Sequence, residues 1–174
     1  MEEQKWDYVE ISQIDDKIIK ILINNLKLDM SENFYLSFES LLKLGKKAET
    51  QIDVAFKEMD EYHQFKKEIF KLLLKSIREK KHEYPMIVQL YNPDFLIRAK
   101  AVMEIGKKGD DKYLNFLIPM ILDPDDSVRW AVINLLVDKY LDNAIIRKML
   151  KNQITKESNP VIRKKLEKTF QESQ

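Results

Sequence analysis

Asp123-Pro124-Asp125-Asp126-Ser127-Val128-Arg129-Trp130-Ala131-Val132-Ile133-Asn134-Leu135-Leu136 reads as a helix with its start written out. Asp123 suits the N-cap, and Pro124 suits the first helical position, where a missing N–H costs nothing. Asp125 and Asp126 fall in the first turn, at the positive end of the helix dipole. Val128, Val132 and Leu136 then recur at four-residue spacing and give one apolar face. The same pattern stands upstream as Asn92-Pro93-Asp94-Phe95-Leu96-Ile97-Arg98, continuing through Ala101 and Ile105 to Gly106. Arg98 and Arg129 are 31 residues apart. A third copy begins at Asn159-Pro160-Val161-Ile162-Arg163 and continues through Leu166 and Phe170. A cap, an Ile/Val-Arg pair and an apolar four-step that recur in this way describe a helical solenoid.

Working outward, the rest of the chain reads as helix pairs. The first runs over about 14–45. Ile18, Ile19, Leu22 and Leu26 form the buried stripe of its first helix. Ser31 caps its second, in which Leu36, Ser40 and Leu44 step by four before Gly45 stops it. The next pair, about 46–81, carries Ala48, Ile52, Val54, Ala55 and Met59, then Phe65, Ile69, Phe70, Leu72, Leu73 and Ile77 in a helix capped by Asp60. The third, about 83–107, joins a short helix containing Pro85 to the Asn92-capped copy. The fourth, about 110–140, has Leu114, Leu117, Ile118 and Ile121 facing inward, with Pro119 set to kink its first helix. The fifth is about 142–171. The predicted fold is all-α, an α-α superhelix forming one domain over 1–174. Trp6 and Tyr8 are expected to cover the open end of the first pair.

Composition agrees. The chain has 174 residues, 44% of them hydrophobic, with three glycines, five prolines and no cysteine. This disfavours a turn-rich β fold and excludes a disulfide framework and thiolate metal sites. The absence of an apolar run near 18 residues and of a visible signal peptide implies a cytoplasmic protein with no membrane partner. Formal net charge is +1, yet residues 1–62 hold eight Lys/Arg against fourteen Asp/Glu, and residues 63–174 hold 22 against 15. That asymmetry reads either as solvated helix faces or as a basic C-terminal half that meets an anionic partner.

The pattern Asp-x-x-Val-Arg-x-Ala-Ala-x-x-x-Leu-Gly resembles the core of HEAT repeats, particularly the short subtype of phycobilin lyases. Asp125 to Ala131 match its first half, and Leu136 falls at the leucine position. Asp94 to Arg98 match too, with Ala101 at the second alanine, while Asn159 to Phe170 match more loosely. Ser37 and Phe70 stand where the first two pairs would carry arginine. The resemblance therefore covers 92–170 by motif and 14–81 by periodicity alone. It implies a right-handed solenoid of about five HEAT-like antiparallel helix pairs. It also implies structural roles for Arg98, Arg129 and Arg163, each reaching acidic side chains or helix ends of the adjoining repeat.

No catalytic constellation stands out. His63 and His82 are the only histidines, Gly106-Lys107-Lys108-Gly109 is no phosphate loop, and the Asp123/Asp125/Asp126 cluster lacks calcium-loop spacing. No cofactor, metal or enzymatic activity is expected. Binding remains. In repeats of this type the second helix of each pair lines a concave surface. The residues one after the arginine position are Phe38, Ala99, Trp130 and Lys164; those five after are Leu42, Met103, Asn134 and Lys168. An aromatic groove fading into lysines suits a partner helix or extended peptide. The alternative is that Phe38 and Trp130 pack between neighbouring second helices.

The expected function is thus a non-enzymatic protein-interaction scaffold, monomeric and binding a partner protein on its concave face. The alternative is a nucleic-acid-binding protein related to helical-repeat alkylpurine DNA glycosylases, to which Arg129–Tyr140 is loosely similar. Against that stand the lack of a second tryptophan or paired Asp in a matching repeat, the short chain and the near-zero net charge. The repeat subtype alone also suggests a partner subunit of a chromophore lyase, but fold is not function.

Overall fold

A computed structural model describes residues 15–60, 64–79, 86–109 and 111–171, and they hold helices and turns without a strand. Ten α-helices follow in order: α1 Asp16–Lys27, α2 Glu32–Leu44, α3 Lys46–Lys57, α4 Gln64–Glu79, α5 Met86–Gln89, α6 Phe95–Lys108, α7 Leu114–Leu117, α8 Asp126–Tyr140, α9 Ala144–Ile154 and α10 Pro160–Gln171. Neighbours in the chain pack as couples: α1 with α2, α3 with α4, α5 with α6, the α7 segment with α8, and α9 with α10. Couples lean on one another through α1 on α3, α2 on α4 and α6 on α8. Each couple is too thin to bury its own apolar face, so the fold is an α–α repeat array with one continuous core. Trp6, Tyr8, His63 and His82 lie outside the described residues.

Capping sets the helix starts. Asp15, Ser31, Asp94, Asp125 and Asn143 each accept a hydrogen bond from a backbone N–H of the first turn. Asn159 does the same for α10. Two expected caps are corrected here. Asn92 and Asp123 lie two residues before the true caps Asp94 and Asp125. Their side chains instead accept the cap residue's own N–H, at 2.8 and 2.9 Å. Lys66 of α4 donates to the Leu28 carbonyl and sits 4.7 Å over the Phe34 ring, which ties α4 to the α1–α2 turn.

Glycine positions also differ from expectation. Gly45 ends α2 at φ 56° as anticipated. Gly106 does not end α6, which runs on to Gly109 in the left-handed conformation. Gly106 is a buried contact instead: a Cβ there would lie 2.8 Å from Leu135 Cδ1 on α8. The Pro119 helix is not kinked but broken, with α7 passing into a 3₁₀ segment, Ile118–Leu122.

Several expected stripe residues sit outside the core. Ile18, Leu36 and Val54 are exposed, and Ile19, Phe34, Phe38 and Leu41 take the buried positions. In α2 the reason is a second neighbour. Phe34 and Phe38 meet the Tyr91 ring edge-on or tilted, with centroids 6.2 and 5.2 Å apart. A strictly sequential stack would place α4 beside α6. In this chain α2 reaches the residues at the start of α6 directly.

Candidate functional site

The start of each matched second helix repeats one arrangement. Asn92, Asp123 and Glu157 each stand six residues before an arginine and two before a cap, and each side chain accepts the cap's N–H, at 2.8–2.9 Å. Arg98 Nη1 donates back to the carbonyls of Asn92 and Pro93 at 2.9 and 2.8 Å. Arg129 Nη1 does the same to Asp123 and Pro124 at 2.9 and 3.1 Å. The other edge of each guanidinium reaches the next repeat. Arg98 Nε and Nη2 donate to the two Asp123 oxygens at 2.9 Å each. Arg129 Nε and Nη2 donate to Glu157 at 3.0 and 2.7 Å. Both pairs are bidentate and nearly free of water contact, a geometry in which removal of one partner is costly.

The two ends of this ladder differ. At the upstream end, the Tyr35 hydroxyl of α2 donates to Asp123 Oδ2 at 2.6 Å. The Arg98 guanidinium lies 3.9 Å over the Tyr35 ring. Burial, with the Asp123 carboxylate beside it, pushes the Tyr35 phenol far above its usual range, so it stays a donor. At the downstream end, Arg163 reaches, among the described residues, the Glu157 carbonyl alone, at 3.0 and 2.6 Å, and its side chain is exposed. Burial alone would raise the Glu157 carboxyl. Hydrogen bonds from Arg129, the Asn159 N–H and Gln153 outweigh that and hold it below the usual carboxylate range.

The anticipated binding positions divide. Met103 is 53% exposed and Trp130 38% exposed, on the neighbouring helices α6 and α8. Leu96 is exposed on α6, one turn before Lys100, and Ala99 and Asn134 are half-buried. Lys164 and Lys168 are exposed on α10. Phe38 and Leu42 do not belong with them. At 1% and 9% exposed they are core residues, because α2 packs against Tyr91 as well as α1 and α4.

Sequence reading missed Asp123, Glu157 and Tyr35 as ladder members. The first two carry a legible mark, an oxygen-bearing side chain six residues before each arginine. Tyr35 carries none, since its partner Asp123 lies 88 residues on. Among the described residues, no group of three or more His, Cys, Asp or Glu converges as a metal site. No described helix is long and apolar enough to cross a membrane.

The family model for HEAT repeats matches residues 84–169, the span that holds all three ladder arginines. Neither the curated proteins nor the solved structures yield a match. The motif, the couples of stacked helices and the arginine ladder meet in that span, and residues 84–169 are HEAT repeats.

Proposed function

We propose that the chain is a non-enzymatic scaffold that holds a partner protein against the exposed side of α6, α8 and α10, the concave side of the array. HEAT repeats are commonly protein-interaction scaffolds, which is the coarse part of the reading. One observation carries the finer part. Met103 and Trp130 remain open to water on neighbouring helices, together with Phe95, Leu96 and Ile97 in the first turn of α6, while Val102, Ile105, Val132, Ile133 and Leu136 of the same helices are buried. Apolar side chains left exposed on helices that pack side by side suit the anchors of a partner helix or extended peptide. Lys164 and Lys168 favour an acidic end on that partner.

Photo-crosslinking tests this. A photoreactive residue at Met103 should capture a discrete partner, and Trp130→Ala should abolish that capture. The same residue at Lys148, exposed on α9, should not capture it. Equal capture at both positions would refute the reading. The α10 lysines also favour a second reading, in which the partner is nucleic acid. A gel shift with duplex DNA or RNA that weakens steeply with salt would select it.

A further inference from the structure

A pocket of about 320 Å³ lies where the first turns of α2, α6 and α8 meet, lined by Glu32 and Leu36, Pro93 and Phe95, Pro124 and Asp125. Leu36 and Phe95 present apolar side chains to water there. Tyr35 and Arg98 also line it and are buried. Their polar groups are already engaged. The Tyr35 hydroxyl donates to Asp123, and the Arg98 guanidinium donates to Asp123 and to the carbonyls of Asn92 and Pro93. Asp123 thus balances the Arg98 charge within the core, and what the pocket shows to water is negative. Glu32 from α2 and Asp125 from the start of α8 bring two carboxylates, and no lysine lines the pocket. Among the described residues Glu32 forms no ion pair, and the Asp125 carboxylate accepts the Ser127 N–H alone, at 2.9 Å.

An anion is the ordinary guest of helix N-termini. Here a first-turn N–H of each helix is already taken: that of Phe34 by Ser31, of Leu96 by Asp94 and of Ser127 by Asp125. The two carboxylates repel a further anion, a phosphate backbone included. We propose that the pocket receives an arginine of the partner protein, flanked in that partner by apolar residues. The aliphatic stem lies along Leu36, Phe95 and the prolines, and the guanidinium pairs with Glu32 and Asp125. A planar fork of five donors serves two carboxylates at once and stacks on a ring, which a lysine does less well. The inference rests on the protein-partner reading above and adds the chemistry of one contact. Leu96 and Met103, both exposed and two turns apart on α6, offer the flanking apolar residues a place to lie. An arginine at this pocket and an acidic end at Lys164 give the partner one direction along the array.

A random-peptide phage library panned on the full chain tests this. Selected peptides should be enriched in arginine beside aliphatic or aromatic residues. The strongest of them, made as a soluble labelled peptide, should bind about tenfold more weakly to Glu32→Gln with Asp125→Asn. Asparagine still caps α8 and Glu32 is exposed, so the variant should melt at the parent Tm. Citrulline in place of the peptide's arginine keeps the shape without the charge. It should cost about tenfold against the parent and little more against the double variant, the mark of a direct pair. Trp130→Ala separates the two readings. Binding lost with the carboxylates and unmoved by Trp130→Ala would keep the arginine pocket and remove the Met103–Trp130 anchors. Binding lost with Trp130→Ala and indifferent to the carboxylates would do the reverse and overturn the proposal. So would a library that yields no arginine enrichment, or a citrulline penalty equal on both proteins.

Discussion

Arg129→Met should unravel the downstream end of the array first. The substitution keeps the aliphatic stem and removes the guanidinium. Glu157 then retains the Asn159 N–H at 2.9 Å and the Gln153 amide at 3.3 Å, but it has lost both charged contacts, at 3.0 and 2.7 Å. The Glu157 side chain is 0% exposed, so water cannot replace them. Breaking a buried pair in this way costs about 3–5 kcal/mol. The carbonyls of Asp123 and Pro124 lose a donor as well, but Pro124 is exposed and water can serve there, so the lower end is expected, about 3 kcal/mol. For a chain of this size that lowers Tm by about 6–12 °C.

Pairs in an array open locally, so the assay must resolve position. Hydrogen exchange should show amides of α9 and α10 losing more protection than those of α1 and α2, with urea unfolding giving the total. The pH dependence has a fixed sign. Glu157 is held below its ordinary 4.5 in the fold, so its contribution is present above that value and is lost as pH falls through the lowered one. Without Arg129, burial dominates and the folded carboxyl titrates higher. Protonation then favours the folded variant, and its deficit against the parent narrows on acidification. Glu157→Gln added to Arg129→Met should recover part of the loss at neutral pH. A cost under about 1 kcal/mol, the range of an exposed pair, or equal loss of protection at both ends of the array, would refute the reasoning.

Three further outcomes follow from the packing. Gly106→Val should cost about 1–3 kcal/mol in urea unfolding because Leu135 already occupies the space, whereas Gly106→Ala should stay within about 1 kcal/mol as helix propensity offsets the contact. Tyr35→Phe removes a buried donor from Asp123 and should cost about 1–3 kcal/mol, with protection falling at the start of α6. Phe38→Ala should cost about 3–5 kcal/mol and Leu36→Glu under about 0.5 kcal/mol; the reverse order in thermal melts would restore the original phase of the α2 stripe.

The repeat was legible because an arginine inside an apolar period is unusual, and it recurs with a cap at a fixed distance. The cap itself was read two residues early. Asp123-Pro124-Asp125 offers two carboxylates that serve equally well locally, and only Arg98, 25 residues away, decides that Asp123 is engaged elsewhere. The α2 stripe was misphased for a related reason. Phe34, Tyr35, Leu36, Phe38, Leu41, Leu42 and Leu44 surround much of that helix, so periodicity leaves its rotation open. Tyr91 fixes it, and Phe38 and Leu42 pass from the expected groove into the core. Trp130 and Met103 are phased by the repeated arginine instead, one residue after Arg129 and five after Arg98, and both are exposed.

The ladder closes at both ends without leaving a charge buried alone. Asn92, neutral, occupies the position where Asp123 and Glu157 carry charge, and Tyr35 supplies a neutral donor from α2. Arg163, the last arginine, faces no carboxylate in the ladder and is exposed. If pairing with the next repeat's acid is what makes these arginines matter, Arg163 should be the weakest of the three. Arg163→Met removes two contacts to the Glu157 carbonyl, which water can partly replace, and should cost about 1 kcal/mol against about 3 kcal/mol for Arg129→Met. Equal costs in parallel urea titrations would mean that the carbonyl contacts shared by all three arginines hold the array together, and that the buried carboxylates are incidental.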